Sequence, residues 1–390
     1  MNVLKDILVV DFSQFLSGPS AGLRLADMGA RVIKIERPGT GDICRQLYVS
    51  DTRIEGESTI FHAINRNKQS YAADLKRPED LEKVKRLLRR ADVVLHNFRP
   101  GVMERIGLDH AAVKAIRPDI VYGEVSGYGN EGPWKDLPGQ DLLVQALSGL
   151  TWLSNDRNAR PTPMGVSVVD ILAGTYLTQG ILAALYRRGV NGSGALVQIS
   201  MMEAVLDFQF EVLTCHYNDG RQLPERSTVS NGNAYIPAPY GIYKTREGYL
   251  SLAMGDIPKL AQLLECPPLE NFTDKAEWFD RRDEIKAILA RHLLTRTAAE
   301  WLSILQLADI WCAKVMDYHE LMEQVGYKVL NMELKVKTSN GLSIRTTRCP
   351  LRIDGQMAAS EKGAPLLGEH NALIDAQFGL EVGNAEASAG

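Results

Sequence analysis

The chain has 390 residues, 45% of them apolar and 24% charged, which describes a folded globular protein with two domains as the natural expectation. Lys and Arg total 44 against 48 Asp and Glu, and the resulting net charge of -4 leaves no electrostatic footprint for nucleic acid or an anionic membrane. The five cysteines, at 44, 215, 266, 312 and 349, show neither metal-ligand nor redox spacing. Together with an N-terminus lacking the pattern of a secretory leader, they lead us to expect free thiols and a cytoplasmic location.

In chain order, the first 125 residues alternate apolar strands with helical stretches. Strands are predicted over Ile7–Asp11, Arg31–Glu36, Ser70–Asp74, Asp92–His96 and Ile120–Val125. Helical patterns fill Ala21–Met28, Glu79–Arg90 and Ala111–Ile116 between them. This alternation predicts an α/β fold with a Rossmann-like parallel sheet. Arg37 with Gly39-Thr40-Gly41, Arg99-Pro100-Gly101 and Gly127-Tyr128-Gly129 follow strand ends, where open sheets of this kind bind ligands.

From 139 to 216 the chain reads as mostly helical, with a short strand at Leu196–Ile199. Its most apolar run, 171–186, reads as too short and too interrupted to span a bilayer. A polar linker over Arg221–Asn233 precedes a hairpin, Tyr240–Lys244 with Tyr249–Ala253. Amphipathic helices follow near 257–265, 281–293 and 298–307, the last opened by Thr297 and Glu300 at capping-box spacing. Asn340-Gly341 marks the turn of a second hairpin, Leu334–Lys337 with Leu342–Arg345, and the tail from Glu381 reads as loosely held. The expected organisation is a large domain over 1–220, a smaller α+β domain inserted over 225–325, and a return to the large domain over 326–390.

Asp170 stands out. It ends the run Met164–Val169 and enters a long apolar helical stretch, where an acid is costly to bury unless paired or given a task. Free backbone amides at a helix start would favour its ionised form, which suits a carboxylate nucleophile. Local pattern alone equally allows an N-cap that satisfies those amides.

Other chemistries find little support. The first strand-to-helix turn, Asp11-Phe12-Ser13-Gln14-Phe15-Leu16-Ser17-Gly18-Pro19, carries no dinucleotide fingerprint, although Glu36 could imitate a ribose-binding acid. No metal-ligand cluster and no serine or cysteine hydrolase motif emerges, so no metal is expected. Arg37 is placed to hold phosphate, and Asn97-Phe98-Arg99 with Arg105 offers a second basic strand end carrying an aromatic.

Taken in order, these segments resemble the class III CoA-transferases, the family of formyl-CoA transferase and carnitine CoA-transferase. The carriers are Asp11-Phe12 with Gly18-Pro19, the run from Met28 to Gly39, Asn97–Gly101, Ser126–Gly129 with Gly132-Pro133, Gln145–Gly149, and Pro350–Ile353. The resemblance implies that Asp170 is a nucleophile forming covalent intermediates. It implies that Arg37, Asn97, Phe98 and Arg105 hold CoA, with Asp74 and Lys76 near the adenine and ribose. Arg99, Leu16, Gln140 and Asp141 complete the candidate binding set. It further implies an interlocked homodimer, an acyl-CoA donor and a carboxylic acid acceptor as the small-molecule partners, and no cofactor beyond the CoA thioester itself.

The chain departs from formyl-CoA transferases at Leu16, where they have glutamine, and at Ser230–Tyr235, which has a single glycine where they carry a run. Both changes argue for an acyl group larger than formyl or oxalyl. Oxyanion donors are sought near Gly18 or Asn231-Gly232-Asn233. The alternative reading is an α-methylacyl-CoA racemase, which shares the fold but uses a His-Asp pair where this chain has Gln140-Asp141. A glutamine cannot shuttle protons at neutral pH.

Overall fold

The computed structural model describes residues 2–47, 52–54 and 56–380. Its central feature is a sheet of six parallel strands: β1 (Leu8–Asp11), β2 (Arg31–Glu36), β3 (Gln69–Ala72), β4 (Val93–His96), β5 (Val121–Ser126) and β6 (Ala195–Ser200). They lie in the spatial order β3-β2-β1-β4-β5-β6. β1 and β4 are buried throughout, which explains why they read as unbroken apolar runs and not as alternating ones. The order reverses direction between β1 and β4, and the crevice at such a switch point is where open α/β sheets take ligands.

Helices α1 (Ser17–Asp27), α2 (Pro78–Leu88), α3 (His110–Ile116) and α5 (Val168–Asn191) belong to this unit, and α4 (Asp141–Leu147) begins in it. On one face Val10, Ile33, Val94 and Tyr122 of the strands pack with Val84 and Leu87 of α2 and Val113 of α3. The other face carries α1 and α5, which pack directly on each other. Predicted and observed strands agree to within two residues, because short apolar and aromatic runs bounded by polar and turn residues are local signals. The apolar run at 171–186 is a correction. It is part of a 24-residue helix that has the length and hydropathy to cross a membrane. A stripe of Val169, Ala173, Leu177 and Ile181 is buried where the helix packs on α1 and the sheet.

The chain divides into two compact units. The first comprises 1–144, 167–205 and 330–390, and the second 145–166 and 206–329. Besides 225–325, the second unit takes in 145–166, 206–224 and 326–329. It holds an antiparallel sheet of β7 (Gly241–Lys244), β8 (Tyr249–Leu252) and β9 (Cys312–Lys314), ordered β9-β8-β7. Tyr243, Leu250, Leu260 and Leu289 form its core with Trp301. Helices α6 (Ile257–Leu264), α7 (Arg282–His292) and α8 (Ala298–Leu305) match the predicted ones, and the capping box of Thr297 with Glu300 closes as expected. β9 went unpredicted because Cys312–Lys314 is too short to show a period. The returning segment supplies the second hairpin, β10 (Glu333–Lys337) with β11 (Ser343–Thr347), and a final helix α9 (Asn371–Phe378). The expected loose tail, from Glu381 on, lies outside the described residues.

Candidate active site

The site is built at the carboxyl ends of β1 and β4. The turn after β1 is fixed from below by buried charges. Lys34 on β2 reaches the Ser13 carbonyl at 2.6 Å and lies 2.7 Å from Asp42. Asp42 in turn accepts the amides of Cys44 at 2.9 Å and Phe15 at 3.3 Å. Lys68 pairs with Asp11 at 3.0 Å, and Asp11 accepts the Ser13 amide at 2.9 Å. Burial alone would raise the Asp11 carboxyl, but Lys68 and Lys34 outweigh it and hold the group below its ordinary range. Burial would lower Lys34, yet Asp42, Asp11 and Glu36 keep it above its own. Both therefore stay charged, and the turn they hold carries Phe15 in the left-handed region at φ +61°.

Two glycines bring the helices to this turn. A Cβ on Gly18 would sit 2.3 Å from the Ser13 Cβ, so only glycine lets α1 begin so close to the turn. A Cβ on Gly174 would lie 2.0 Å from Ser20 Oγ and 2.6 Å from the Ser17 carbonyl. Gly174 is one helical turn beyond Asp170, so this close approach of α5 to α1 lays the Asp170 carboxylate against the first residue of α1. Ser17 and Asp170 line the same cavity, and the Ser17 hydroxyl and backbone amide face the carboxylate and favour its charged form.

Asp170 occupies the third position of α5 and is not its N-cap. The capping role falls to Asp141, whose Oδ2 accepts the amides of Val169 at 2.8 Å and Asp170 at 3.1 Å. The expectation that free amides would favour ionised Asp170 is therefore corrected. Those donors are taken by a second carboxylate whose charge opposes ionisation. Burial and then the Asp141 charge push Asp170 up to about 7, against the two hydrogen bonds from Ser17.

Asp170 and Asp141 open onto a cavity of about 590 Å³, lined wholly by residues of the first unit. Leu16, Asn97, Phe98, Arg99 and Gln140 line the same cavity. Asn97 is committed within the protein. Its Nδ2 donates to the Gln14 carbonyl at 2.7 Å and to Ser17 Oγ at 3.3 Å, while its Oδ1 accepts the Gln14 amide at 2.8 Å. The cavity does not include Arg37, Asp74, Lys76 or Arg105. Arg37 is exposed directly after β2, Asp74 and Lys76 follow β3, and Arg105 is exposed beyond β4, all past carboxyl ends of the same parallel strands.

Sequence reasoning passed over Ser17, Phe15 and Lys135, all of which line the cavity. Ser17 was legible as a serine at a helix start, whereas Lys135 carried no local signal. Glu36 does not imitate a ribose-binding acid: it is buried and bound to Arg45 at 2.9 Å and the Asp42 amide at 3.0 Å. Asn231 lies in the second unit, its side chain spent on the Leu153 and Asn155 carbonyls and the Ser227 amide. Among the described residues no group of three or more His, Cys, Asp or Glu could hold a metal ion.

Residues 4–371 match the model of CoA-transferase family III. The chain belongs to this family. It is 32% identical over 382 residues to the acetyl-CoA:oxalate CoA-transferase of Acetobacter aceti, covering 95% of each chain. It is 30% identical over 386 residues to the succinate–glutarate CoA-transferase of Agrobacterium fabrum, covering 96% of this chain and 95% of the relative. A crystal structure of Rv3272 from Mycobacterium tuberculosis superposes with a TM-score of 0.81 at 30% identity, covering 96% of this chain and 99% of that one. For a family III CoA-transferase, the cavity beside Asp170 is the natural place to look for acyl transfer.

Proposed function

We propose that this protein moves CoA from an acyl-CoA thioester to a carboxylic acid through covalent intermediates on Asp170. The observation that carries the reading is the Asp170 carboxylate at the cavity wall, poised near neutrality by burial and Asp141 and gripped by Ser17. A carboxylate with an acidity near 7 is a stronger nucleophile once ionised than an ordinary one, and half of it is ionised at neutral pH.

In this scheme Asp170 attacks the thioester carbon, forming a mixed anhydride and freeing the CoA thiolate. The thiolate attacks the Asp170 acyl carbon, expelling the donor acid and leaving an aspartyl-CoA thioester. The acceptor carboxylate then runs the two steps in reverse. Splitting one exchange into acyl transfers lowers each barrier. Retaining the thiolate by its nucleotide keeps its effective concentration high. Arg37, Asp74, Lys76 and Arg105 would hold the nucleotide, with Phe98 and Arg99 carrying the chain toward Asp170. The apolar wall of Phe15, Leu16 and Leu137 favours an acyl group with apolar surface and would shield the anhydride from water.

Two further elements belong to this reading. Exposed apolar side chains, including Tyr186 and Val190 on α5 and Phe210, Tyr217, Val325 and Val329 in the second unit, suit burial against a second copy in an interlocked dimer. The proposed site of action is the cytoplasm. Against a racemase, Gln140 offers no titrating group, and Asp141 is engaged in capping α5.

The test is an intact-mass scan after incubation with a panel of acyl-CoA thioesters. A CoA-sized adduct that is lost in Asp170→Ala supports the reading. Full turnover in that variant refutes it, and α-carbon deuterium exchange without transfer would favour the racemase.

A further inference from the structure

Ser17 is 3% exposed and opens α1, where its own amide has no helical acceptor. Three independent contacts fix it. Its carbonyl accepts the Ser20 hydroxyl at 2.7 Å, its Oγ accepts from Asn97 Nδ2 at 3.3 Å, and its amide and hydroxyl both face Asp170. Because Asn97 donates to Ser17 Oγ, the hydroxyl hydrogen is left to point at the carboxylate. The absence of a side chain at Gly174 is what allows this approach.

We propose that the Ser17 hydroxyl is a catalytic residue: with its backbone amide it forms the oxyanion hole for the tetrahedral species centred on the Asp170 side-chain carbon. The proposal rests on Asp170 being the acylated nucleophile. One Asp170 oxygen attacks the substrate, and the oxygen held by Ser17 remains the carbonyl of the anhydride and of the thioester. When the CoA thiolate adds to that carbon, a C–S bond forms and the held oxygen takes the negative charge. Collapse restores the C=O bond, breaks the anhydride C–O bond and releases the donor carboxylate. When the acceptor carboxylate adds to the thioester carbon, the same oxygen takes charge again and the CoA thiolate departs. Ser17 keeps its proton throughout and donates a hydrogen bond that strengthens as charge develops.

Donors of this kind are worth about 10²–10³ in rate, because they are pre-aimed at charge that exists only in the transition state. The two donors are not redundant: the amide is fixed by the helix, and the hydroxyl is oriented by Asn97.

The experiment compares Ser17→Ala, Ser17→Cys and Asp170→Ala in the intact protein with one reactive acyl-CoA donor and acceptor pair. Ser17→Ala keeps the amide, so kcat should fall about 100-fold while KM for the acyl-CoA stays within about twofold. Rapid quench and mass analysis should show acylated or CoA-bearing protein accumulating to a higher fraction, because breakdown of the aspartyl species is slowed. Ser17→Cys, a weaker donor of similar size, should fall between Ser17→Ala and the parent, which a packing defect would not produce; it also decides the matter should Ser17→Ala fail to fold. A Ser17→Ala kcat within threefold of the parent, or a loss confined to KM, overturns the inference while Asp170 stands. Turnover retained in Asp170→Ala removes the reading on which the inference depends.

Discussion

Replacing Asp141 by Asn isolates the effect of its charge on Asp170. The carboxamide oxygen can still accept the amides of Val169 and Asp170, so the cap of α5 survives while the negative charge is lost. Asp170 stands at about 7, raised first by burial and second by Asp141. Removing the second cause and keeping the first lowers the midpoint without returning it to the ordinary carboxylate range. Beside an open cavity, where water screens the pair to an effective dielectric of about 50, a like charge roughly 5 Å away is worth on the order of 1.3 kcal/mol, or about one pH unit. The assay is the pH dependence of kcat/KM for the acyl-CoA donor, which reports the free enzyme. The parent rate should fall tenfold per pH unit below a midpoint near 7, because protonated Asp170 cannot attack. In Asp141→Asn the midpoint should lie near 6, raising the relative rate at pH 5.5. A parent profile flat from pH 5 to 8, or an unmoved midpoint in an active variant, would refute this account of the pair.

Three other outcomes follow from the same geometry. A carboxyl whose folded-state pKa lies above its unfolded value contributes stability below the unfolded value and loses it as pH rises through about 7. Asp170→Asn should therefore stabilise the fold at pH 8 by on the order of 2 kcal/mol after discounting for partial exposure, read as a higher Tm, with the gain vanishing toward pH 4. Gly174→Ala forces a methyl against the Ser17 carbonyl and should cost about 1–3 kcal/mol in denaturant unfolding as well as slowing turnover. Lys34→Met strands Asp42 and Asp11 with one cation fewer and should lower Tm by on the order of 10 °C, from a loss of about 3–5 kcal/mol.

Much of the fold was legible because its signals are local. Most of the buried parallel strands announce themselves as short apolar runs rich in valine and isoleucine, and Thr297 with Glu300 fixes a helix start by spacing alone. Asp170 was legible as an acid entering an apolar helix. Its electrostatics were not, because the carboxylate that caps α5 lies 29 residues earlier in the chain. The same holds for Lys34, which reads as one polar residue in a strand and proves to be the buried counter-ion of the first turn. The length of α5 is hidden in the sequence by Gly174 and Gly180, which interrupt its apolar run. Gly174 instead admits α1, and a Cβ on Gly180 would meet Val197 of β6 at 2.5 Å.

The most direct measurement is peptide-level location of the covalent intermediate. Protein mixed with a reactive acyl-CoA is quenched within a turnover, trapped with hydroxylamine, digested and mapped by mass. A hydroxamate is expected on the peptide carrying Asp170, absent when acyl-CoA is omitted and absent in Asp170→Ala. A modification confined to another side chain, or rapid CoA transfer with no trapped protein at any donor concentration, would contradict it.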